Sequence, residues 1–394
     1  MKVMVINAGS STLKWKLFAM PEKEVQASGM IDRMGFETST FSFKYNGKKV
    51  THEEKIESNK AAIQSILDDL IEVGLIKKYD DISAFGHRVV AGGEDFKKST
   101  VITKDNIDRV FELAEYAPLH NKVEATFIQL FEELVPSATQ VAVFDTSYFT
   151  DIPEVNYLYS LKYEYYEKYK IRRYGAHGTS HRYITRRLNE ILGGLEDKNV
   201  IILHLGSGAS ISAIQNGKPV DISMGFTPLA GITMSSRTGD IDASIIPYLM
   251  EKLNITDVNE IITKFNKESG LLGISGISPD MRDIRAQEDT NPRAKLAIDV
   301  YVNRIVKYIG SYAAEMGGLD AIAFTAGVGE NSPETRGKIL DNLQLFGIKE
   351  DHDRNYGEGD NRLITTDNSK VAAYVIPTDE ELMIAHDTYT IVNG

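Results

Sequence analysis

The chain has 394 residues, more than the roughly 250–300 that one hydrophobic core organises, so two domains are expected. It is 42% hydrophobic and 25% charged, a globular composition, and 44 basic against 56 acidic side chains leave a net charge of −12 that argues against nucleic acid and membrane partners. Zero cysteines exclude disulfides, thiol catalysis and thiolate metal sites. With no apolar run near ~20 residues and no leader pattern at Met1, a cytoplasmic protein is expected.

Residues 1–20 read as a hairpin around Asn7–Ser11. Phe41, Phe43 and Tyr45 alternate with polar residues before the Asn46-Gly47 turn. Ile63, Ile66, Leu67, Leu70 and Ile71 mark one face of a helix over 59–73. A strand is expected from Ile82 to Val90, helices over 105–116 and 121–134, and a buried strand from Gln140 to Phe144 that ends at Asp145. The tyrosine-rich stretch 157–174 leads to Gly175-Ala176-His177-Gly178, and Thr179 or Ser180 is expected to cap a helix over 181–192 closed by Gly193-Gly194. A second hairpin follows at 200–215, then helices at 241–252, 257–266 and 293–316, the last with Asn291 as cap and Pro292 in its first turn. The strands Ala321–Phe324 and Ala372–Ile376 and a helix from about 379 complete the chain. Strands then helices, twice over, predict a duplicated α/β protein with mixed sheets: 1–148 with 382–394, and 149–381.

Chemistry-bearing residues gather at the ends of these strands. Asn7, Gly9, Ser10, Ser11 and Lys14 form one candidate phosphate hairpin, and His204, Leu205, Gly206, Ser207, Gly208 and Ser210 a second; each is also compatible with a plain turn. Arg88, after Gly86-His87, suits a carboxylate or phosphoryl group, or packs along its stem. Arg237, among Ser, Thr and Gly, favours an anion clamp. Asp145 sits where α/β sheets place their chemistry, unless it merely caps a turn. His177, between glycines, is read as a phosphoryl ligand rather than one of a zinc pair with His181, which is taken as an ordinary helix residue. Gly327-Val328-Gly329-Glu330-Asn331 and Asp280-Met281-Arg282 are candidate nucleoside segments, and Glu380 a candidate magnesium ligand or a first-turn acid. Neither the dinucleotide fingerprint nor the P-loop pattern is present.

Across essentially its whole length the chain resembles the acetate kinase family. The strings that carry the resemblance include INAGSS at 6–11, GHRVVAGG at 86–93, APLHN at 117–121, VFDTS at 143–147 and RRYGAHGTSH at 172–181. HLGSGAS at 204–210, DISMGFTPLAG at 221–231, SRTGDID at 236–242, FTAGVGEN at 324–331 and IPTDEELMIA at 376–385 follow in order. The resemblance implies a duplicated ribonuclease H-like, actin-like ATPase fold: two mixed five-stranded sheets with a cleft between domains. It implies reversible transfer of the ATP γ-phosphoryl group to acetate, giving acetyl phosphate and ADP, with Mg2+ (or Mn2+). Arg88, His120, Asp145, His177 and Arg237 then match the catalytic set, and Asn7 and Glu380 the magnesium positions. Lys14, His204 to Gly208, Asp280 to Arg282 and Gly327 to Asn331 match the nucleotide segments. Val90, Leu119, Ala176 and Pro228 match the pocket for the alkyl end. A homodimer joined through the second domain is implied as well.

The sequence departs from the common family pattern at Ser207 (for Asn), Ser236 (for Gly), Lys122 (for Pro), Tyr148-Phe149 (for Phe-His) and Ala176 (for Phe). The smaller Ala176 widens the expected pocket and keeps propionate open as substrate. In the implied reaction Arg88 and Arg237 clamp the migrating phosphoryl group, His177 donates to an equatorial oxygen, and Asp145 orients. A non-catalytic nucleotide-binding protein is the alternative of another class, and the joint presence of those four residues argues against it.

Overall fold

The apolar run that opens the chain and the alternating segment after it form the expected hairpin. β1 (Lys2–Ala8) pairs antiparallel with β2 (Thr12–Ala19), Asn7 opposite Lys14, and the Gly9 amide closes the turn on the Thr12 carbonyl at 2.7 Å. The meander continues through β3 (Glu24–Asp32), β4 (Ser39–Tyr45) and β5 (Lys48–Glu54). On the other side of β1 run β6 (Ala84–Val89) and β8 (Thr139–Phe144), both parallel to it, with the short β7 (Thr100–Val101) at the edge. The helices Asn59–Glu72 and Asn121–Leu134 bury Ile63, Ile66, Leu70, Phe127 and Phe131 against Trp15, Phe41, Phe43 and Phe85 on one face. The C-terminal helix Glu380–Asn393 covers Val3, Val5, Val141 and Val143 on the other with Ile384 and Ala385. Gly86 permits that approach: a Cβ there would lie 2.3 Å from Thr388 Oγ1.

This computed structural model describes residues 1–117 and 120–394. They divide into two units, Met1–Thr150 with Asp379–Gly394, and Asp151–Thr378. The second unit has its own sheet: β9 (Asn199–Leu205), β10 (Ala209–Gln215) and β11 (Lys218–Ile222) form an antiparallel meander, while β12 (Ala321–Thr325) and β14 (Ala372–Val375) run parallel to β9, with β13 (Arg362–Leu363) at the edge.

The sheets have eight and six strands, not the five each that were expected. The order β3-β2-β1-β6-β8 in the first recurs as β11-β10-β9-β12-β14 in the second, so a five-stranded core is duplicated. The additions are edge strands: the Asn46-Gly47 hairpin adds β4 and β5, and β7 and β13 are two-residue pairings. β7 and β13 are too short to leave an alternating signature.

Three helix boundaries also differ. The helix expected over 105–116 is Ile107–Glu112 followed by a 3-10 turn, Leu113–Glu115. The one expected from 241 starts at Ile245, because Asp242 Oδ1 accepts from the Ser244 amide at 2.9 Å and holds a turn there. The helix expected from 181 is Gly178–Leu192, entered from His177 in the left-handed region (φ 59°) rather than capped by Thr179 or Ser180. Asn291 does cap the long helix Pro292–Glu315, accepting from the Arg293 amide at 3.0 Å. No helix among the described residues is long and apolar enough to cross a membrane.

Candidate active site

In the first unit, three neighbouring parallel strands deliver Asn7, Arg88 and Asp145 to one end of the sheet. Arg88 donates through Nε (2.9 Å) and Nη2 (2.6 Å) to the same oxygen, Asp145 Oδ2, and its Nη1 reaches Asn7 Oδ1 at 3.4 Å. Asp145 is buried, whereas Arg88 keeps 24% of its side-chain surface exposed. The strong carboxylate partner raises the Arg88 pKa further above its ordinary value. Glu380, half-buried at the start of the C-terminal helix, has its carboxyl pushed up to about 7, chiefly by burial, with Asp145 adding to the rise and Arg88 opposing it.

The loop after Arg88 is held by three side chains. Glu124 Oε2 accepts from the Val90 amide (3.0 Å), Asn121 Oδ1 from the Ala91 amide (2.9 Å), and Thr146 Oγ1 from the Gly92 amide (2.9 Å). None of the three stood out in the sequence as a site residue. The signal was present: Asn121 and Glu124 lie on the same helical stripe as Ile128 and Phe131, so two polar groups were destined for burial. Burial pushes the Glu124 carboxyl up to about 8, against the pull of Arg88.

The oxygen set Asn7 Oδ1 and Glu380, beside Asp145, suits magnesium, a hard cation that takes one or two protein ligands and completes its shell with phosphate and water. Two carboxylates, Asp145 and Glu380, face the one guanidinium of Arg88, so the cluster can take a further positive charge. The residues present therefore fit the ion.

In the second unit, the segment leading to His177 is pinned by its own sequence. Arg173 Nη1 donates to the Ile222, Ser223 and Met224 carbonyls, and the Tyr174 and Gly175 amides both reach the Gly225 carbonyl at 3.1 Å. His177 stacks on His204, ring centroids 4.2 Å apart. Between β9 and β10 the Gly206–Gly208 turn closes on itself, the Gly206 amide donating to the Gly208 carbonyl at 3.2 Å. A Cβ on Gly208 would sit 3.3 Å from His177 Nε2 and 3.5 Å from Arg237 Nη1, so those groups border the turn. Arg237 Nη1 donates to the Pro228 carbonyl at 3.2 Å, and among the described residues the guanidinium forms no ion pair. Burial alone lowers its pKa. A half-buried cation without a counter-charge, flanked by an imidazole and turn amides, is built to receive an anion.

A family model described as the acetokinase family matches residues 2–386. The chain belongs to that family. An acetate kinase of Fructilactobacillus sanfranciscensis is 50% identical over 394 residues, covering 100% of this chain and 99% of that one. The crystal structure of Porphyromonas gingivalis acetate kinase superposes with a TM-score of 0.94 at 44% identity, and that of a propionate kinase from Francisella tularensis with 0.92 at 37%, each covering 99% of both chains. The fold is the duplicated actin-like one of the acetokinase family.

The remaining family-matched positions divide as follows. His120 is exposed at the N-cap of the Asn121–Leu134 helix. Lys14, exposed, lines with Asn7, Lys16, Lys44, Lys49 and Glu381 a cavity of about 230 Å³ in the first unit. Glu330 accepts from the Ala326 amide (2.7 Å) and the Thr378 amide (3.1 Å), and so ties the helix Ala326–Asn331 to the end of the unit. Gly327 to Asn331 are helical, with Asn331 Nδ2 donating back to the Gly327 carbonyl. Asp280 and Arg282 pair with each other at the surface at 2.6 Å, and Met281 between them is buried. Val90 packs with Ala91 and Ala117 in the first unit; Ala176, buried, and Pro228 lie in the second; Leu119 is outside the described residues. His181 is no ordinary helix residue: it has no exposed surface, and both ring nitrogens meet serine hydroxyls.

Proposed function

We propose that the chain transfers the γ-phosphoryl group of ATP to acetate, reversibly, yielding acetyl phosphate and ADP, as an enzyme of the cytoplasm. The observation that carries this is Arg237: a half-buried guanidinium with no carboxylate partner among the described residues, beside His177 Nε2 at a glycine turn. Such a site suits the charge that spreads over three equatorial oxygens when a phosphoryl group migrates.

The acceptor carboxylate is already ionised at neutral pH, so no general base is required. Asp145, with Oδ2 engaged twice by Arg88, acts by fixing the guanidinium fork rather than by taking a proton. Arg88 neutralises the acceptor carboxylate as it approaches, and the Gly206–Gly208 amides and His177 receive phosphate oxygens. Arg237 supplies the fixed positive charge that a migrating phosphoryl group needs. Asn7 and Glu380 would hold magnesium, which supplies charge neutralisation at the polyphosphate when bound. A hydroxamate assay for acyl phosphate formed from ATP, magnesium and acetate tests the proposal. Product formation is expected; its absence with a folded, ATP-binding protein refutes the enzyme reading.

Propionate is the second substrate of this reading, because Ala176 offers less bulk than a phenylalanine. One methylene is worth only ~1–3 kcal/mol in such a pocket, so acetate leads without excluding propionate. The active form is a homodimer. Supporting this, the helix Ile245–Leu253 has no buried residue, and Ile245, Tyr248 and Leu253 are 39%, 60% and 51% exposed. Sedimentation at twice the 43.9 kDa chain mass is expected, and a monomer would refute it.

A further inference from the structure

Beside the His177 imidazole lies a row of groups that the phosphoryl-transfer reading leaves unused. Ser210 and Ser212 share one face of β10. Ser210 Oγ lies 2.9 Å from His177 Nδ1 and 2.7 Å from His181 Nε2, and Ser212 Oγ lies 2.8 Å from His181 Nδ1. Together they form one continuous row: Ser212, His181, Ser210, His177. The first three have no exposed surface.

Counting protons fixes its direction. Each serine has one hydroxyl proton and a neutral imidazole has one N–H. Among the described residues the Ser212 hydroxyl has His181 as its one hydrogen-bond partner, and a buried hydroxyl that fails to donate is destabilising. Ser212 therefore donates to His181 Nδ1. His181 then carries its proton on Nε2 and donates to Ser210. Ser210, already an acceptor, donates its one proton to His177 Nδ1. Burial beside His204 holds His181 well below its ordinary pKa of 6.5, in the neutral form that this count assumes.

We infer that Ser212, His181 and Ser210 are positioning residues that relay one tautomer to His177, with its proton on Nε2. That nitrogen borders Gly208 and Arg237 Nη1. A neutral His177 is thereby a donor toward an anion. Run in the opposite sense, the row would turn a lone pair toward the same anion. The inference deepens the proposed function, and rests on it for the identity of the oxygen that receives the bond.

The test is the pair of ring 15N shifts of His177 in protein labelled at its eight histidines, assigned with His177→Gln. The wild type should show the Nε2–H tautomer. Ser210→Ala should show a mixture, with kcat down roughly 10–100-fold, the range for losing one hydrogen bond to a charged group, and KM for ATP changed less than about threefold. Ser210→Thr, which keeps a hydroxyl, should restore both readouts. Ser212→Ala should shift the tautomer in the same sense by less, and it decides the matter if Ser210→Ala does not fold. A wild-type Nδ1–H tautomer, or an unchanged tautomer and kcat in Ser210→Ala, overturns the inference. The shifts need no turnover, so such a result leaves the kinase reading standing, whereas a wild type that makes no acetyl phosphate ends that reading and not this one.

Discussion

Replacing Glu124 by glutamine should make the protein more stable in mild alkali. Glu124 is 2% exposed, and Val90 donates its amide to Oε2. Glutamine keeps an acceptor there and cannot ionise. The carboxyl titrates near 4.5 when solvated and is pushed up to about 8 in the folded chain, by burial first, with Asp145 adding to the rise and Arg88 opposing it. A carboxyl whose folded pKa is raised binds more protons folded than unfolded between those values. Stability is therefore fully present below pH 4.5, falls as pH rises through the interval, and levels off above 8. The interval corresponds to ~5 kcal/mol as an upper bound. Taking about 2–3 kcal/mol at pH 8.5, the variant should melt roughly 4–12 °C above the wild type there, for a unit of this size. Near pH 5 the two should agree within a few degrees. Thermal melts of both proteins from pH 5 to 8.5 are the assay, with kcat at pH 7 expected within about threefold because glutamine imitates the protonated acid. Parallel melting curves across the whole range would refute the reasoning.

Other substitutions test the site's parts. Ala176→Phe should lower kcat/KM for propionate by about 10-fold more than for acetate, since a pocket discriminates a methylene by ~1–3 kcal/mol; equal losses would remove Ala176 from the alkyl pocket. Glu380→Gln should raise the magnesium concentration for half-maximal rate by roughly tenfold or more, measured at saturating ATP, because it exchanges a charged ligand for a neutral amide oxygen; an unchanged requirement would take Glu380 out of the metal site.

The cores of both units were legible because their strands and helices carry strong patterns: β1 is a short apolar run, β2 alternates, and the Asn121–Leu134 helix was bounded to the residue. What pattern could not supply was how far each sheet extends, since β7 and β13 are two residues long. The charged site residues were legible for a different reason. Arg88, Asp145 and His177 stand at strand ends or between glycines, where an unsupported polar group has little structural purpose. Their supports were hidden inside ordinary-looking stretches. Glu124 reads as a surface acid, and Ser210 and Ser212 as polar positions of a hairpin, until burial shows that each must be hydrogen-bonded. His177 in the left-handed region is likewise invisible in sequence, and it is this backbone turn that starts the helix carrying His181.

Steady-state kinetics of Arg237→Ala test the account's core most directly. Removing one preorganised donor from a transition state costs about 10²–10³-fold. The account predicts a fall of that size in kcat with acetate and ATP, with KM for ATP within about threefold. A kcat within twofold of the wild type would contradict it.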